Sequence, residues 1–264
     1  MRSDHRARHL RTERHAAGLF SSIFHAPDLA RAVRPGQFVM LDVPGRSRPY
    51  LRRAYSVADA RPEAGEVEFL VKTIGFGTAA LEEMSEGAVA LLLGPLGNAF
   101  SIEGLSRTSR VAVVAGGIGA APFPLLYRAL ARAGISGDLF LGGRGEKDLA
   151  FRSRFESIVT GRTLLSTDDG AIGVRGLVTE AFRKEARQTR YARLFACGPM
   201  PMFRALAGIA SELAVPAEFS TEAAMGCGFG ACLGCVIPGV EKPFLVSCTE
   251  GPILPPEKIA WERL

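Results

Sequence analysis

The sequence predicts an α/β plus β protein: an antiparallel β-barrel first, a parallel doubly wound α/β domain second, and a short cysteine-rich segment last. Three observations carry this. Up to Phe100, short apolar runs are cut at close intervals by Gly and Pro. From Arg110 onward, apolar runs alternate with glycine turns and helix-period stretches. Four of the five cysteines then stand between residues 227 and 248, spaced C-x4-C-x2-C-x12-C.

In the first half the strands are expected in GQFVMLDV (36–43), RAYSVAD (53–59), EVEFLVKTIG (66–75) and GAVALLLGPLG (87–97). Val, Phe and Leu in runs of this length, bounded by turn residues, favour a small antiparallel barrel or sandwich from about Arg34 onward. The stretch before it is basic, with Arg2, Arg6, Arg8, Arg11 and Arg14 against Asp4 and Glu13, and it accounts for much of the excess of 32 Lys+Arg over 27 Asp+Glu. A solvated strand or tail explains such a run without a nucleic-acid partner, and none is expected. A polar stretch, SIEGLSRTSR (101–110), marks the expected boundary.

In the second half VAVVA, DLFLGG, RTLLST and RLFACG read as strands, with Leu125, Leu126, Ala129 and Leu130 on one helix face and further helices expected near 148–158, 176–186 and 199–213. Strand, glycine turn and helix in alternation specify a parallel sheet whose ligands bind at the strands' carboxyl ends. Two turns, AGGIGAAP (115–122) and ACGPMPM (196–202), each end a strand and open a helix, so together they point at one crevice, although neither is a G-x-G-x-x-G. Cys197 fits either a small buried apolar residue at a strand end or a place beside the ligand.

The last segment cannot build much of a core from its length, so a staple is expected. The C-x4-C-x2-C spacing with a later cysteine is what a plant-type [2Fe-2S] site uses, which makes Cys227, Cys232, Cys235 and Cys248 the candidate ligands. A four-thiolate zinc site is the rival, although its ligands usually come as two C-x2-C pairs. All four histidines precede residue 26, so no histidine is at hand for a mixed site there. The expected domains are therefore 1–105, 106–218 and 219–264.

The N-terminus has no apolar stretch of signal-peptide type, and the longest apolar run, 111–126, is shorter than the ~20 residues of a membrane span and is broken by Gly and Pro. A cytoplasmic protein without membrane contact is expected, in which disulfides between these cysteines are disfavoured.

In the first half, RAYS (53–56) offers a guanidinium for phosphate and an aromatic ring to cover a flat ligand, with Arg53 and Tyr55 expected on one face of the strand. GFGTAAL (75–81) opens a short helix whose first amides and Thr78 hydroxyl suit a pyrophosphate. Taken in order, RAYS, GFGTAAL, GPLGNAF (94–100), AGGIGAAP, STDDGAIGVRGLVTEAF (166–182), FACGPMPM (195–202) and the cysteine stretch ending in SCTEGPIL resemble the ferredoxin reductase superfamily. More narrowly they resemble the electron-transfer subunit of NAD-dependent, two-subunit (class 1B) dihydroorotate dehydrogenase, over roughly residues 34–255.

The resemblance implies an FAD-binding barrel, a ferredoxin reductase-like NAD-binding domain and a [2Fe-2S] segment. By motif, Arg53, Ala54, Tyr55, Ser56, Leu70, Val71 and Lys72 would line the FAD, with Gly77 and Thr78 on its pyrophosphate. Gly116, Gly117 and Gly119, with Cys197, Gly198 and Pro199, would frame the NAD. It also implies an FMN-containing catalytic subunit as partner, in a heterotetramer, with electrons passing through the cluster and FAD to NAD+ in pyrimidine biosynthesis. No catalytic constellation for oxidising dihydroorotate is visible in this chain, in keeping with a separate catalytic subunit.

Other FAD and [2Fe-2S] reductase subunits, of the sulfide dehydrogenase or ferredoxin-NADP transhydrogenase type, are the alternative; they tend to carry Asp where this chain has Cys227. A zinc-stapled binding module is a more distant one. Three departures from the pattern stand out: Ala115 for the first glycine of the nucleotide turn, Ala54 where proline is common, and Ala223-Ala224 for a Glu-Arg pair. Asp168 or Asp169 suits a ribose hydroxyl and Arg144 a 2′-phosphate, so residues alone leave NADH and NADPH open, and the resemblance implies NADH.

Overall fold

A computed structural model describes residues 3–43 and 50–264. Its first sheet is antiparallel and contains β1 (Ser3–Ala16), β2 (Leu19–His25), β3 (Phe38–Asp42), β4 (Arg53–Ser56), β5 (Asp59–Arg61), β6 (Glu66–Lys72) and β7 (Val89–Leu96), in the order β4-β3-β7-β1-β2-β6-β5. Helices α1 (Pro27–Ala32) and α2 (Phe76–Glu82) fill its connections. The sheet curls around Phe20, Phe24, Val39, Leu41, Phe69 and Leu92, all 0–1% exposed. The inward positions alternate along β7, where Ala90 and Leu92 are buried and Val89, Leu91 and Leu93 are not.

The basic N-terminal stretch is a strand of this sheet, paired with both β2 and β7 rather than preceding the barrel. The β-rich half thus begins at Ser3, not near Arg34. Ala7 and His9 point inward while Arg6 and Arg8 face solvent, so the charges occupy the outer face of a two-sided strand. Arg2 lies outside the described residues.

The second sheet contains β8 (Arg110–Gly116), β9 (Ser136–Gly143), β10 (Thr163–Thr167), β11 (Val174–Arg175), β12 (Arg193–Cys197) and β13 (Ala217–Ser220), with helices α3 (Phe123–Ala133), α4 (Ser153–Glu156), α5 (Val178–Ala186) and α6 (Met200–Glu212) between them. Its order is β11-β10-β9-β8-β12-β13, all parallel, closed at one edge by the antiparallel β16 (Ile253–Leu254). The expected helix at 148–158 is only a 3-10 turn, Glu146–Leu149, and α4. Strand order reverses between β8 and β12, and this is where such a sheet opens a crevice.

The cysteine segment forms the small hairpin β14 (Val236–Pro238) and β15 (Phe244–Val246), then α7 (Ser247–Glu250), before returning as β16. Protein contacts hold it as well as any metal. Cys235 and Cys248 are buried against Phe38, Met40 and Leu96 of β3 and β7. Gly228, at φ +82°, lies so close to Met40 that an added Cβ would stand 2.4 Å from its Cγ. Asn98, just after β7, clasps the exit of the segment: its amide donates to the carbonyls of Glu250 (3.1 Å) and Ile253 (2.7 Å), and its oxygen accepts from the Ile253 N–H (2.9 Å).

An Asn98→Ala substitution removes all three bonds and strands part-buried backbone groups, so it should lower stability by about 2 kcal/mol. Urea unfolding and protease sensitivity beyond residue 220 measure this, the latter rising ahead of global unfolding.

Candidate functional site

A cleft of about 610 Å³ lies between the two sheets, within the size range of small-molecule and cofactor sites. Every residue predicted for the flavin lines it: Arg53, Ala54, Tyr55, Ser56, Leu70, Val71, Lys72, Gly77 and Thr78. Among the described residues strand β4 pairs with β3 alone, and all four of its residues reach the cleft, not just Arg53 and Tyr55. The Tyr55 hydroxyl is buried without a hydrogen-bond partner, and desolvation holds its pKa up at about 12. A neutral phenol left unpaired in a cleft fits a polar ligand that completes it.

Thr78 serves the turn itself. Its hydroxyl accepts from the N–H groups of Ile74 (2.9 Å) and Gly75 (3.1 Å) and donates to the Gly75 carbonyl (2.8 Å), fixing the start of α2. Lys72 reaches across to the nucleotide domain, where its ammonium donates to Asp148 (2.9 Å) and holds that carboxyl below its usual range. Arg144 also donates to Asp148 and is otherwise 82% exposed.

Ile118 and Ala121 of the AGGIGAAP turn line the cleft too, while sequence reasoning missed Phe38, Ser220, Thr221, Glu222, Met225 and Pro252. These six come from three separate stretches of chain, and no local pattern announces them.

The two glycine turns of the nucleotide domain lie side by side at the sheet's switch point, since Cys197 pairs with Ala115. A Cβ on Gly119 would stand 2.4 Å from the Cys197 carbonyl oxygen, and one on Gly116 would stand 2.8 Å from Pro199 Cδ. Gly198 is as tightly placed against Met202, and Gly117 adopts φ +53°. The glycines therefore let the turns touch, which brings Gly116, Gly117, Gly119, Cys197, Gly198 and Pro199 to one place. Cys197 is 2% exposed; desolvation, with Glu222 nearby, pushes its thiol well up, against a Ser220 hydrogen bond. It is thus a neutral buried thiol at a strand end, beside the crevice.

The four cysteines of the tail form no disulfide and stand as two pairs. The Cys232 N–H donates to Cys227 Sγ and the Cys248 N–H to Cys235 Sγ, each at 3.4 Å. Among the described residues no three His, Cys, Asp or Glu side chains converge on a single metal-ion position. Desolvation opposes ionisation of Cys227, but the amides of Cys232, Phe229 and Ala231 outweigh it and bring the thiol down to about 6. Desolvation and the neighbouring Cys235 hold Cys248 up at about 12 in the metal-free chain. Four thiols in two pairs, with loop amides turned toward sulfur, fit a two-iron cluster with two thiolates on each iron.

The cluster segment and the cleft share a wall. Phe38, Ala223 and Met225 line the cleft and also pack on the apolar group around Cys235 and Cys248. This fold and these sites define a flavin- and nicotinamide-dependent reductase that carries an iron-sulfur domain. Family models agree region by region: an oxidoreductase FAD-binding domain over residues 20–100, an oxidoreductase NAD-binding domain over 113–207, and the iron-sulfur cluster binding domain of dihydroorotate dehydrogenase B over 222–260.

The chain is 34% identical over 242 residues to the dihydroorotate dehydrogenase B (NAD(+)) electron transfer subunit of Desulforamulus reducens, covering 90% of this chain and 91% of that one. It is 37% identical to the corresponding subunit of Geobacillus kaustophilus, covering 83% and 84%. Among solved structures, an NADH-dependent reduced ferredoxin-NADP oxidoreductase studied for flavin-based electron bifurcation superposes with a TM-score of 0.86 at 29% identity, covering 98% of this chain and 91% of that one. The chain belongs to the family of dihydroorotate dehydrogenase B electron transfer subunits.

In metal-free protein, alkylation of Cys227 should rise as pH passes through about 6, because its thiolate forms above that value, and should be nearly complete by neutrality. Cys197 should stay unmodified over the same range. Mass spectrometry of peptides alkylated across a pH series separates the two.

Proposed function

We propose that this chain passes electrons from an FMN-containing dihydroorotate dehydrogenase catalytic subunit, through a [2Fe-2S] cluster and FAD, to NAD+. A nicotinamide moves two electrons as hydride and an iron-sulfur cluster one, and a flavin is the cofactor that joins them. The observation that carries the reading is the shared wall: Phe38, Ala223 and Met225 separate the cleft from the two buried cysteines.

The chain's residues divide the work accordingly. Cys227, Cys232, Cys235 and Cys248 hold the cluster. Arg53, Ala54, Tyr55, Ser56, Leu70, Val71, Lys72, Gly77 and Thr78 hold the FAD. Gly116, Gly117, Gly119, Cys197, Gly198 and Pro199 frame the NAD. The working regions are 1–105, 106–218 and 219–264.

The partner meets the cluster side. Cys232 is exposed, and Phe229, Leu233, Val236 and Phe244 of the same segment are 40–61% exposed, apolar surface suited to a docking subunit. A heterotetramer of two subunits of each kind, in the cytoplasm, is the assembly we propose; among the described residues no helix is long and apolar enough to cross a membrane.

The likeness to the ferredoxin-NADP oxidoreductase structure favours a second reading, in which the same cofactors serve a ferredoxin-linked transhydrogenase. The match to the dihydroorotate dehydrogenase B iron-sulfur model and cysteine at position 227 favour the first. Affinity capture from the native cell decides between them: an FMN protein that reduces NAD+ with dihydroorotate is the expected partner, and a ferredoxin-dependent subunit would favour the second. In the reconstituted protein, Cys232→Ser should abolish the visible and electron paramagnetic signals of the cluster while flavin remains bound. Loss of both cofactors together would count against the residue assignment.

A further inference from the structure

Two acidic side chains sit in register on neighbouring barrel strands, Asp59 on β5 opposite Glu68 on β6, and both are nearly sequestered from solvent at 3% and 4% exposure. Like charges directly opposite on a sheet repel, and buried carboxylates need partners. Arg61 of the barrel lies near both, at 3.7 Å from Asp59 and 3.5 Å from Glu68.

Bidentate partners come from the other domain. Arg128 on α3 grips Asp59 through Nε and Nη2, the second bond at 2.7 Å. Arg154 on α4 grips Glu68 the same way, with Nε at 3.1 Å. Between them the Leu125 N–H, in the first turn of α3, donates to the Ala58 carbonyl at 2.7 Å. Such forks fix orientation as well as distance, because both guanidinium nitrogens must meet both carboxylate oxygens.

The position of this contact gives it a role. Besides the Lys72–Asp148 bond and the apolar packing shared across the boundary, two ties hold the nucleotide domain to the barrel. One is the tail, held by Asn98 beside β7 and by β16 on the nucleotide sheet. The other is this arginine contact on β5 and β6. Glu68 is two residues before Leu70 on the strand that lines the cleft. Cys235 and Cys248, by contrast, pack directly on β3 and β7 of the barrel and do not depend on the arginines.

We propose that Asp59–Arg128 and Glu68–Arg154 form a latch that sets the nucleotide domain over the cleft, so that these four are positioning residues for hydride transfer between nicotinamide and flavin but not for electron exchange between cluster and flavin. The inference rests on the assignment of the cleft to flavin and of the two glycine turns to the nicotinamide nucleotide. A small misplacement of reacting atoms is enough to slow hydride transfer steeply, by up to about 100-fold per ångström.

The test uses the FAD- and cluster-loaded protein and compares Arg154→Met and Arg128→Met with the unsubstituted chain. Flavin reduction by NADH in single turnover should slow by about tenfold or more, with loss of the nicotinamide–flavin charge-transfer absorption. Flavin affinity should hold, as should the rate at which electrons placed on the cluster by a one-electron chemical reductant reach the flavin. Arg154→Lys, which keeps the charge but not the fork, should fall between and covers the case in which a methionine variant misfolds.

An unchanged hydride rate in all variants overturns the latch. So does a parallel fall in both half-reactions, which would mean general loosening. Neither arm uses dihydroorotate or a partner subunit, and a failure of the functional reading would show separately, as unsubstituted protein that takes up no flavin.

Discussion

The structure depends on one contact: the seating of the cysteine segment on the outer face of barrel strands β3 and β7. That segment closes only a small apolar cluster of its own, Ile237, Leu245, Leu254 and Ile259, and Cys235 and Cys248 borrow Phe38, Met40 and Leu96 from the barrel. Phe38 continues through to the cleft, joined there by Ala223 and Met225. The same packing that folds the tail thus keeps water out of the space between the cysteines and the cleft, and a dry apolar shell is one of the levers that tune a cluster's potential. Cys227 and Cys232 face the other way, toward solvent and an exposed apolar rim. The segment has a buried side toward the cleft and an open side toward solvent.

Strand order does the corresponding work in the nucleotide domain. Because β8 and β12 are neighbours and each ends in a glycine turn, the reversal point of the sheet brings both turns together, Gly116 against Pro199 and Gly119 against the Cys197 carbonyl. The backbone, not a set of polar side chains, shapes this crevice. Burial keeps Cys197 neutral beside it, so the thiol offers bulk and polarizability rather than a charge.

What the sequence revealed and what it hid divide along the same physical line. The RAYS strand, the GFGT turn, both glycine turns and the cysteine spacing were legible because each is a local device: a few adjacent residues suffice to make a strand edge, a tight turn or a metal loop. The basic strand β1 reads as a solvated strand or tail ahead of the barrel, since its fully buried positions are only Ala7 and His9 and its arginines mask the alternation. The far wall of the cleft, from Ser220 to Met225 with Pro252, comes from the tail folding back, which no periodicity encodes. Asn98 was visible only as a letter in GPLGNAF, whereas its work is to hold residues more than 150 positions away. Asp59 and Glu68 likewise read as ordinary strand acids until their arginines arrive from another domain.

The three departures from the family pattern can be weighed on the same footing. Ala115 is fully buried inside β8, between Leu141 and Cys197 of the flanking strands, and lies before the turn rather than in it. A methyl group there adds packing and leaves the turn's glycines free. Ala54 lines the cleft from an edge strand, where its backbone pairs with Met40 and its side chain is exposed. Ala223 stands on the shared wall, packed against two apolar groups at once, where a charged side chain would need a partner; Ala224 is exposed. At Ala115, Ala54 and Ala223 a small side chain stands where backbone pairing or apolar surface sets the geometry, so these changes trim bulk. Ala54 and Ala223 act on the cleft and Ala224 on exposed surface, whereas Ala115 acts within the packed sheet.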